Sequence, residues 1–261
     1  MLVNKLWEEI IKPPLNDRNA KPRTVGVTMM IDKGLSINET ENLLEIGAPY
    51  IDFLKLTFGT AALYQTDILK RKLEMAARKE VAVYTGGTFF EISHWQNKSD
   101  DFFSKLSELG FKWVEISDGT IQMTMEQRHK AIKSAFKVGL KVITEVGKKN
   151  PETQPDEFSL IEMVNHDLEM GVSWVIIEAR ESGQGIGIFD NQGGIIEEKL
   201  YRLKQGTPQD KVIWEAPLKK QQVKLINEFG SNVNLGNIPP SEALALEALR
   251  LGFRSDTWRI S

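Results

Sequence analysis

Short apolar runs recur along this chain, each ending in glycine or charge and each followed by apolar residues at helical spacing. Val25–Asp32 is the first run and closes in Asp32-Lys33-Gly34. Ser36, with Glu39 three residues on, forms a capping box that predicts a helix to Gly47. Tyr50–Thr57 is a second strand, ending in Phe58-Gly59-Thr60 and followed by a helix to about Lys79. Val81–Thr85 is a third, ending in Gly86-Gly87-Thr88. A helix opened by Ser99-Asp100 and closed by Gly110 leads to the fourth strand, Lys112–Asp118. Thr124 caps the next helix, closed by Gly139 before the fifth strand, Leu140–Val146. A helix from about Asp156 to Gly171 precedes the sixth strand, which begins at Trp174. Lys211–Ala216 and Asn232–Leu235 are the seventh and eighth strands, and Pro239-Pro240 starts a closing helix that ends at Gly252.

Strand followed by helix eight times predicts an α/β fold, a single-domain (β/α)₈ barrel. The strands read as near-continuous apolar runs, the pattern of a parallel sheet covered on both faces. A doubly wound open sheet would place a glycine fingerprint after the first strand, and Asp32-Lys33-Gly34 does not match one. Residues 1–24 are a lead-in, an amphipathic helix followed by a basic, proline-bearing arm expected to cover the bottom of the fold or meet a neighbouring subunit. The barrel domain is expected over residues 25–261.

The mouth of such a barrel lies at the carboxyl ends of its strands, so the residues there are the candidate site. They are Asp32 and Lys33, Lys55, Gly86 and Gly87, Glu115 with Ser117 and Asp118, Glu145 with Lys148, Glu178 with Arg180, Glu215, and Asn234. Glu115, Glu145, Glu178 and Glu215 lie on four consecutive strands and would repel one another unpaired. Lysines and arginines at the same rim, or a hard divalent cation, relieve that repulsion, and both solutions stay open on the pattern. Oxygen ligands without cysteine suit Mg²⁺ better than zinc. After the sixth strand, Gly183, Gly185 and Gly187 let the backbone turn and offer N–H groups to an anion.

Composition narrows the classes further. The net charge of −3 gives no reason to expect nucleic acid or an anionic membrane as partner, so an anionic substrate must be drawn by a local positive site. The absence of cysteine excludes disulfides, thiolate metal sites and cysteine nucleophiles. No apolar stretch reaches membrane-spanning length and Met1–Ile11 is unlike a signal peptide, so a cytoplasmic location is expected. His94, His129 and His166 lack metal-ligand spacing and read as structural or solvent-facing. The amphipathic start and Trp258 are candidate interface segments for a homo-oligomer.

The rim stretches, taken in order, resemble the phosphosulfolactate synthase family. They are Asp32-Lys33-Gly34, Tyr84-Thr85-Gly86-Gly87-Thr88 with Glu91, Val114–Gly119, Thr144–Lys149, Ile177–Gly183, Glu215-Ala216-Pro217 with Lys219 and Gln221-Gln222, Asn232–Leu235, and Leu249–Arg254 with Asp256-Thr257. Ala179, Leu218, Lys220 and Ser255 depart from the family pattern conservatively. The resemblance implies a barrel enzyme that adds sulfite to phosphoenolpyruvate with Mg²⁺, giving (2R)-2-phospho-3-sulfolactate for coenzyme M or sulfolactate synthesis, a carbon–sulfur lyase. Mapped onto these motifs, the metal falls to Glu115, Glu145 and Glu178, and proton donation to Lys148, with Lys149 next. Lys33, Lys55, Arg180, Ser182 and the glycines 183, 185 and 187 bind the substrate anions. Another barrel lyase or aldolase on a phosphorylated carboxylate, or a non-catalytic relative binding a small anion, are the alternatives.

Overall fold

The computed structural model describes Trp7 and residues 9–258. Eight parallel strands form one sheet: β1 (Thr28–Asp32), β2 (Phe53–Leu56), β3 (Ala82–Thr85), β4 (Trp113–Ile116), β5 (Lys141–Val146), β6 (Trp174–Ile177), β7 (Val212–Glu215) and β8 (Leu235–Ile238). Their order, β3-β2-β1-β8-β7-β6-β5-β4, wraps the sheet into a barrel. At the seam β3 and β4 lie side by side without a backbone ladder. Nine helices follow the strands: α1 (Ile37–Gly47), α2 (Thr66–Arg78), α3 (Gly87–Trp95), α4 (Ser99–Leu109), α5 (Met125–Lys137), α6 (Glu157–Glu169), α7 (Glu197–Gly206), α8 (Lys219–Phe229) and α9 (Ala243–Arg250), counted among the described residues. The expected Ser36–Glu39 capping box is present on α1, and Thr124, expected as a cap, forms a second box with Gln127 on α5.

Two elements differ from the sequence reading. α3 was not anticipated; it starts directly at the end of β3, where Gly86-Gly87 reads as a loop. The eighth strand starts at Leu235 rather than Asn232 and takes in Gly236 and Asn237. Asn234 therefore lies at the amino end of the barrel, opposite the mouth, where its Oδ1 accepts from Gly26 N (2.7 Å) and Val27 N (3.0 Å). A polar side chain that closes a strand start carries the same sequence signal as one at a strand end.

The strand period of two puts alternate residues on the inner face. On five strands an apolar inner residue is followed two positions later by a charged one: Phe53 and Lys55, Trp113 and Glu115, Ile143 and Glu145, Ile176 and Glu178, Ile213 and Glu215. The barrel is therefore filled in layers. Phe53 meets Tyr84, Trp113 and Trp174 edge-on at centroid distances of 5.9, 5.2 and 5.4 Å, the geometry aromatic quadrupoles favour. This aromatic floor excludes water from below, and the charged layer rests on it. Outside the strands, a second and larger apolar core packs the helices onto the sheet.

Below the floor, the arm before β1 closes the amino end. Most of the expected opening helix lies outside the described residues, and residues 11–24 contain no helix. Arg18, with its guanidinium fully buried, reaches Glu247 on α9 (Nε–Oε1 3.0 Å) and donates to Gly26 O (2.6 Å). Arg23 pairs with Asp52 at 3.0 Å, and Asp52 in turn accepts from Thr28 N at 2.8 Å. Buried pairs of this kind cost stability chiefly when one partner is lost. Glu247→Ala is expected to destabilise the fold by about 3–5 kcal/mol in denaturant unfolding. Glu228→Ala, which removes the exposed Lys204 pair on α8, is expected to cost less than about 1 kcal/mol.

Candidate active site

The charged layer opens into a cavity of about 400 Å³ at the carboxyl ends of the strands. Lys55 stands at its base. Its Nζ lies 2.9 Å from Glu115 Oε2, 3.1 Å from Glu145 Oε2 and 3.4 Å from Glu215 Oε1. Burial disfavours the Lys55 ammonium, but Glu115, Glu145 and Glu215 outweigh it and raise its pKa well above the usual value. The rim repulsion anticipated from sequence is thus relieved for three of the four glutamates by one central cation.

The other carboxylate oxygens are assigned in turn. Glu115 Oε1 accepts the N–H of Gly87 at the start of α3, across the seam. Glu215 Oε2 accepts from Ala179 N at 3.0 Å, and Glu178 Oε1 from Arg180 N at 2.6 Å. Three buried oxygens of these carboxylates lack a hydrogen-bond donor: Glu115 Oε2, which meets Lys55 only as an ion pair, and Glu145 Oε1 and Glu178 Oε2. Lys149 approaches the last two at 3.5 and 3.6 Å while donating to Thr88 Oγ1 at 3.1 Å. Burial opposes the Lys149 charge, but Glu145 and Glu178 prevail and raise its pKa.

The four carboxylates do not titrate alike. Burial pushes Glu115 up to about 7 against the pull of Lys55. Burial also pushes up Glu145, but Lys55 and Lys149 reverse the effect and hold it below the usual range. Glu178 is raised well above that range by burial, Glu145 and Glu215, and burial raises Glu215 as well. Four carboxylates against two ammonium groups leave two surplus negative charges if all are ionised. Protons or a divalent cation neutralise them.

Of the residues singled out from sequence, Lys55, Gly86, Gly87, Glu115, Glu145, Lys149, Glu178, Arg180, Ser182 and Glu215 line this cavity. Lys33 does not; it pairs with Glu181 at the outer rim, beside a neighbouring depression formed with Pro239 and Pro240. Lys148 turns away from the cavity, its Nζ held by Asp118 Oδ2 and Asp118 O at 2.6 Å each and by Ile121 O at 3.0 Å. The glycine loop folds on itself rather than into the cavity. Gly183 N donates to Arg180 O (3.2 Å) and Gly185 N to Asp190 O (2.9 Å), which spends two of the three N–H groups expected to hold an anion. Gly187 packs against the Glu178 carbonyl, where any side chain would overlap it.

Other rim motifs support loops. Asp32 Oδ1 accepts from Gly34 N (2.8 Å) and Leu35 N (2.7 Å) while Oδ2 pairs with buried Lys72. Glu91 on α3 receives Gly119 N (2.9 Å) and Thr120 N (3.0 Å), which shapes the loop after β4. Asp118 is shared between Lys148 and Arg128, and Arg128 also binds Asp167 and the Glu145 carbonyl. His129 and His166 face each other at 4.3 Å between α5 and α6, outside the cavity. Cavity residues missed from sequence are Thr57, Phe58, Thr88 and Asn237, together with Ile31 and Glu181. Thr57, Phe58 and Thr88 follow strand ends and Asn237 is the last residue but one of β8, and that position was the one signal available.

A parallel eight-stranded barrel with charge gathered at the carboxyl ends of its strands is the build of a TIM-barrel enzyme. Comparison with known proteins gives the family. The family model described as (2R)-phospho-3-sulfolactate synthase (ComA) matches residues 16–256. Phosphosulfolactate synthase of Methanothermobacter thermautotrophicus is 44% identical over 253 residues, covering 95% of this chain and 96% of that protein. The phosphosulfolactate synthase of Bacillus subtilis (strain 168) is 36% identical over 246 residues, covering 92% and 95%. The chain belongs to the phosphosulfolactate synthase family, enzymes acting on small molecules. Among solved structures, 3-hexulose-6-phosphate synthase from Salmonella typhimurium shares the barrel at a TM-score of 0.53 and 11% identity, covering 88% of this chain and 92% of that one. Among the described residues no helix is long and apolar enough to cross a membrane.

The cage around Lys55 makes a specific expectation. In Lys55→Met, Glu115, Glu145 and Glu215 lose their counter-charge, so their folded pKa values rise, those of Glu115 and Glu215 further above the unfolded ones and that of Glu145 from below its own. The folded state then holds more protons than the unfolded chain above about pH 4.5, and linkage makes stability fall as pH rises. Denaturant unfolding of Lys55→Met between pH 5 and 8 is expected to show a steeper loss than the wild type, and parallel curves would count against the cage.

Proposed function

We propose that this chain catalyses the Mg²⁺-dependent addition of sulfite to phosphoenolpyruvate, giving (2R)-2-phospho-3-sulfolactate, a carbon–sulfur lyase activity read in the reverse sense. The observation that carries the reading is the pair of buried, donor-less oxygens Glu145 Oε1 and Glu178 Oε2 beside Lys149, at the base of an open cavity. Family membership supplies the substrates.

The donor set fits a hard divalent cation. The two free oxygens are charged or chargeable, and the surplus negative charge of the cluster equals that of one such ion. Among the described residues no group of three or more acidic or histidine side chains is arranged to hold a metal ion. Mg²⁺ suits this, since it keeps several waters and takes one or two carboxylates plus substrate oxygens. Glu145 and Glu178 would hold it, with Glu115 committed to Lys55 and Gly87. When bound, the ion supplies Lewis-acid stabilisation of negative charge on the substrate carboxylate.

The chain's own groups do the rest. Sulfite attacks the terminal methylene carbon through sulfur, and the π electrons move toward the central carbon and the carboxylate. A proton must then reach the central carbon on one face. Lys149 is the donor: it lines the cavity, and its neighbours keep it protonated. Lys148 is fixed behind the wall and orients the loop that carries Lys149. Arg180 and the amino end of α3 at Thr88 would meet the phosphate, since both line the cavity and, of the first two N–H groups of α3, Glu115 takes that of Gly87 alone. Lys55, an ammonium locked among three carboxylates, is unsuited to Schiff-base chemistry, which speaks against an aldolase.

Purified protein with Mg²⁺ is expected to consume phosphoenolpyruvate only when sulfite is present; sulfite-independent loss, or none at all, would sink the proposal. Chelation is expected to abolish turnover and added Mg²⁺ to restore it. Lys149→Ala is expected to cut kcat by about 10² or more, the usual scale for a lost acid–base group. Lys148→Ala should cost less, and the reverse ranking would return the proton to Lys148. Arg180→Ala should raise the Michaelis constant for phosphoenolpyruvate roughly ten- to a hundredfold, the scale of one charge-assisted hydrogen bond.

A further inference from the structure

Three residues lining the cavity hold left-handed backbone without being glycine: Phe58 (φ 56°), Arg180 (φ 59°) and Asn237 (φ 56°). The other such residues among those described, Glu80 and Asn97, sit in exposed turns away from it. Asparagine adopts this conformation readily, and a bulky aromatic residue does not. Phe58 is also the first central residue of the turn Thr57–Thr60, closed by Thr60 N donating to Thr57 O at 2.9 Å. With Gly59 at φ 69°, both central residues are left-handed, the type I′ pattern that favours Asn-Gly. Core packing does not compensate, because Phe58 is 57% exposed. Strain of this kind persists where the surroundings or the function require the side chain.

The composition of the wall says what the ring does there. Apart from Ile31, Phe58 is the one apolar side chain of the lining; the others are charged, hydroxyl or amide groups, or glycines. On the reaction proposed above, the carboxylate and phosphate of the substrate go to the charged groups. That leaves the unsaturated methylene end for the apolar wall. β2 and β6 lie four strands apart in the barrel order, so the loops carrying Phe58 and Arg180 stand on opposite sides of the mouth. We propose that Phe58 is a specificity-determining residue, its ring standing against the methylene end of a three-carbon enol phosphate and rejecting homologues substituted there. The inference rests on the proposed reaction for its substrate class and on backbone geometry for the residue.

The test compares wild type with Phe58→Asn and Phe58→Leu on phosphoenolpyruvate and on its methyl homologue, the enol phosphate of 2-oxobutanoate, each with sulfite. Asparagine relaxes the turn and removes the apolar ring; leucine keeps both the strain and an apolar side chain. Phe58→Asn is expected to raise the melting temperature by about 2–4 °C. It should also lower kcat/KM on phosphoenolpyruvate and raise the homologue-to-phosphoenolpyruvate ratio by about tenfold or more, the range for one methylene in a pocket. Phe58→Leu is expected to gain no stability and to keep discrimination close to that of the wild type. A lower melting temperature in Phe58→Asn, or an unchanged ratio, overturns the proposal. If the wild type itself does not turn over, the proposed reaction falls. Calorimetric binding of the two enol phosphates to wild type and Phe58→Asn then decides the Phe58 inference separately: a changed preference supports it, and an unchanged one overturns it.

Discussion

Everything at the mouth of this barrel depends on one ammonium group surrounded by three carboxylates. Removing an ion from water costs several kcal/mol, so Glu115, Glu145 and Glu215 could not share a buried layer without Lys55 between them. The attraction is strong because the aromatic floor below keeps water out and lowers the screening around the cluster. Lys55 in turn takes the charge that would otherwise fall on Lys149, which leaves Lys149 at the cavity wall. The inner cluster is thus a foundation, and the groups free to meet a ligand stand one step further out.

The two ends of the barrel divide the charged residues by use. At the amino end Arg18, Arg23 and Arg250 are buried against Glu247, Asp52 and main-chain carbonyls, and none opens onto the cavity. At the carboxyl end a middle group, Asp32 with Lys72 and Asp118 with Arg128 and Lys148, is fully spent on holding loops. What remains uncommitted is small, and it coincides with the cavity.

Much of the architecture was legible because a strand of period two, ending in charge, has one economical solution when repeated eight times. Lys55, Glu115, Glu145 and Glu178 were readable for the same reason: each follows an apolar inner-face residue by two. Partners were not. Lys55 meets residues 90 and 160 positions away, and no local pattern carries that distance. Lys148 and Lys149 look equivalent as neighbours in sequence, yet adjacent residues leaving a strand point to opposite sides, so one enters the cavity and the other the loop behind it. The glycines at 183, 185 and 187 announced a turn, but not that the N–H groups of Gly183 and Gly185 close it themselves. Asn234 was misplaced because strand ends were read from composition, and Gly236-Asn237 resembles a loop while forming part of β8.

The pairing of Arg18 with Glu247 joins residues 229 positions apart. A chain emerging from the ribosome can form its first strands and helices early, and Arg23 can find Asp52 then, yet Arg18 has no carboxylate to hold until α9 has been made. Until then the amino end of the barrel stays open, with Arg18 wet and the first and last strands unjoined. Closure of the ring and docking of the arm are therefore late events in biosynthesis, and the apolar interior remains exposed to chaperones and proteases for almost the whole of translation.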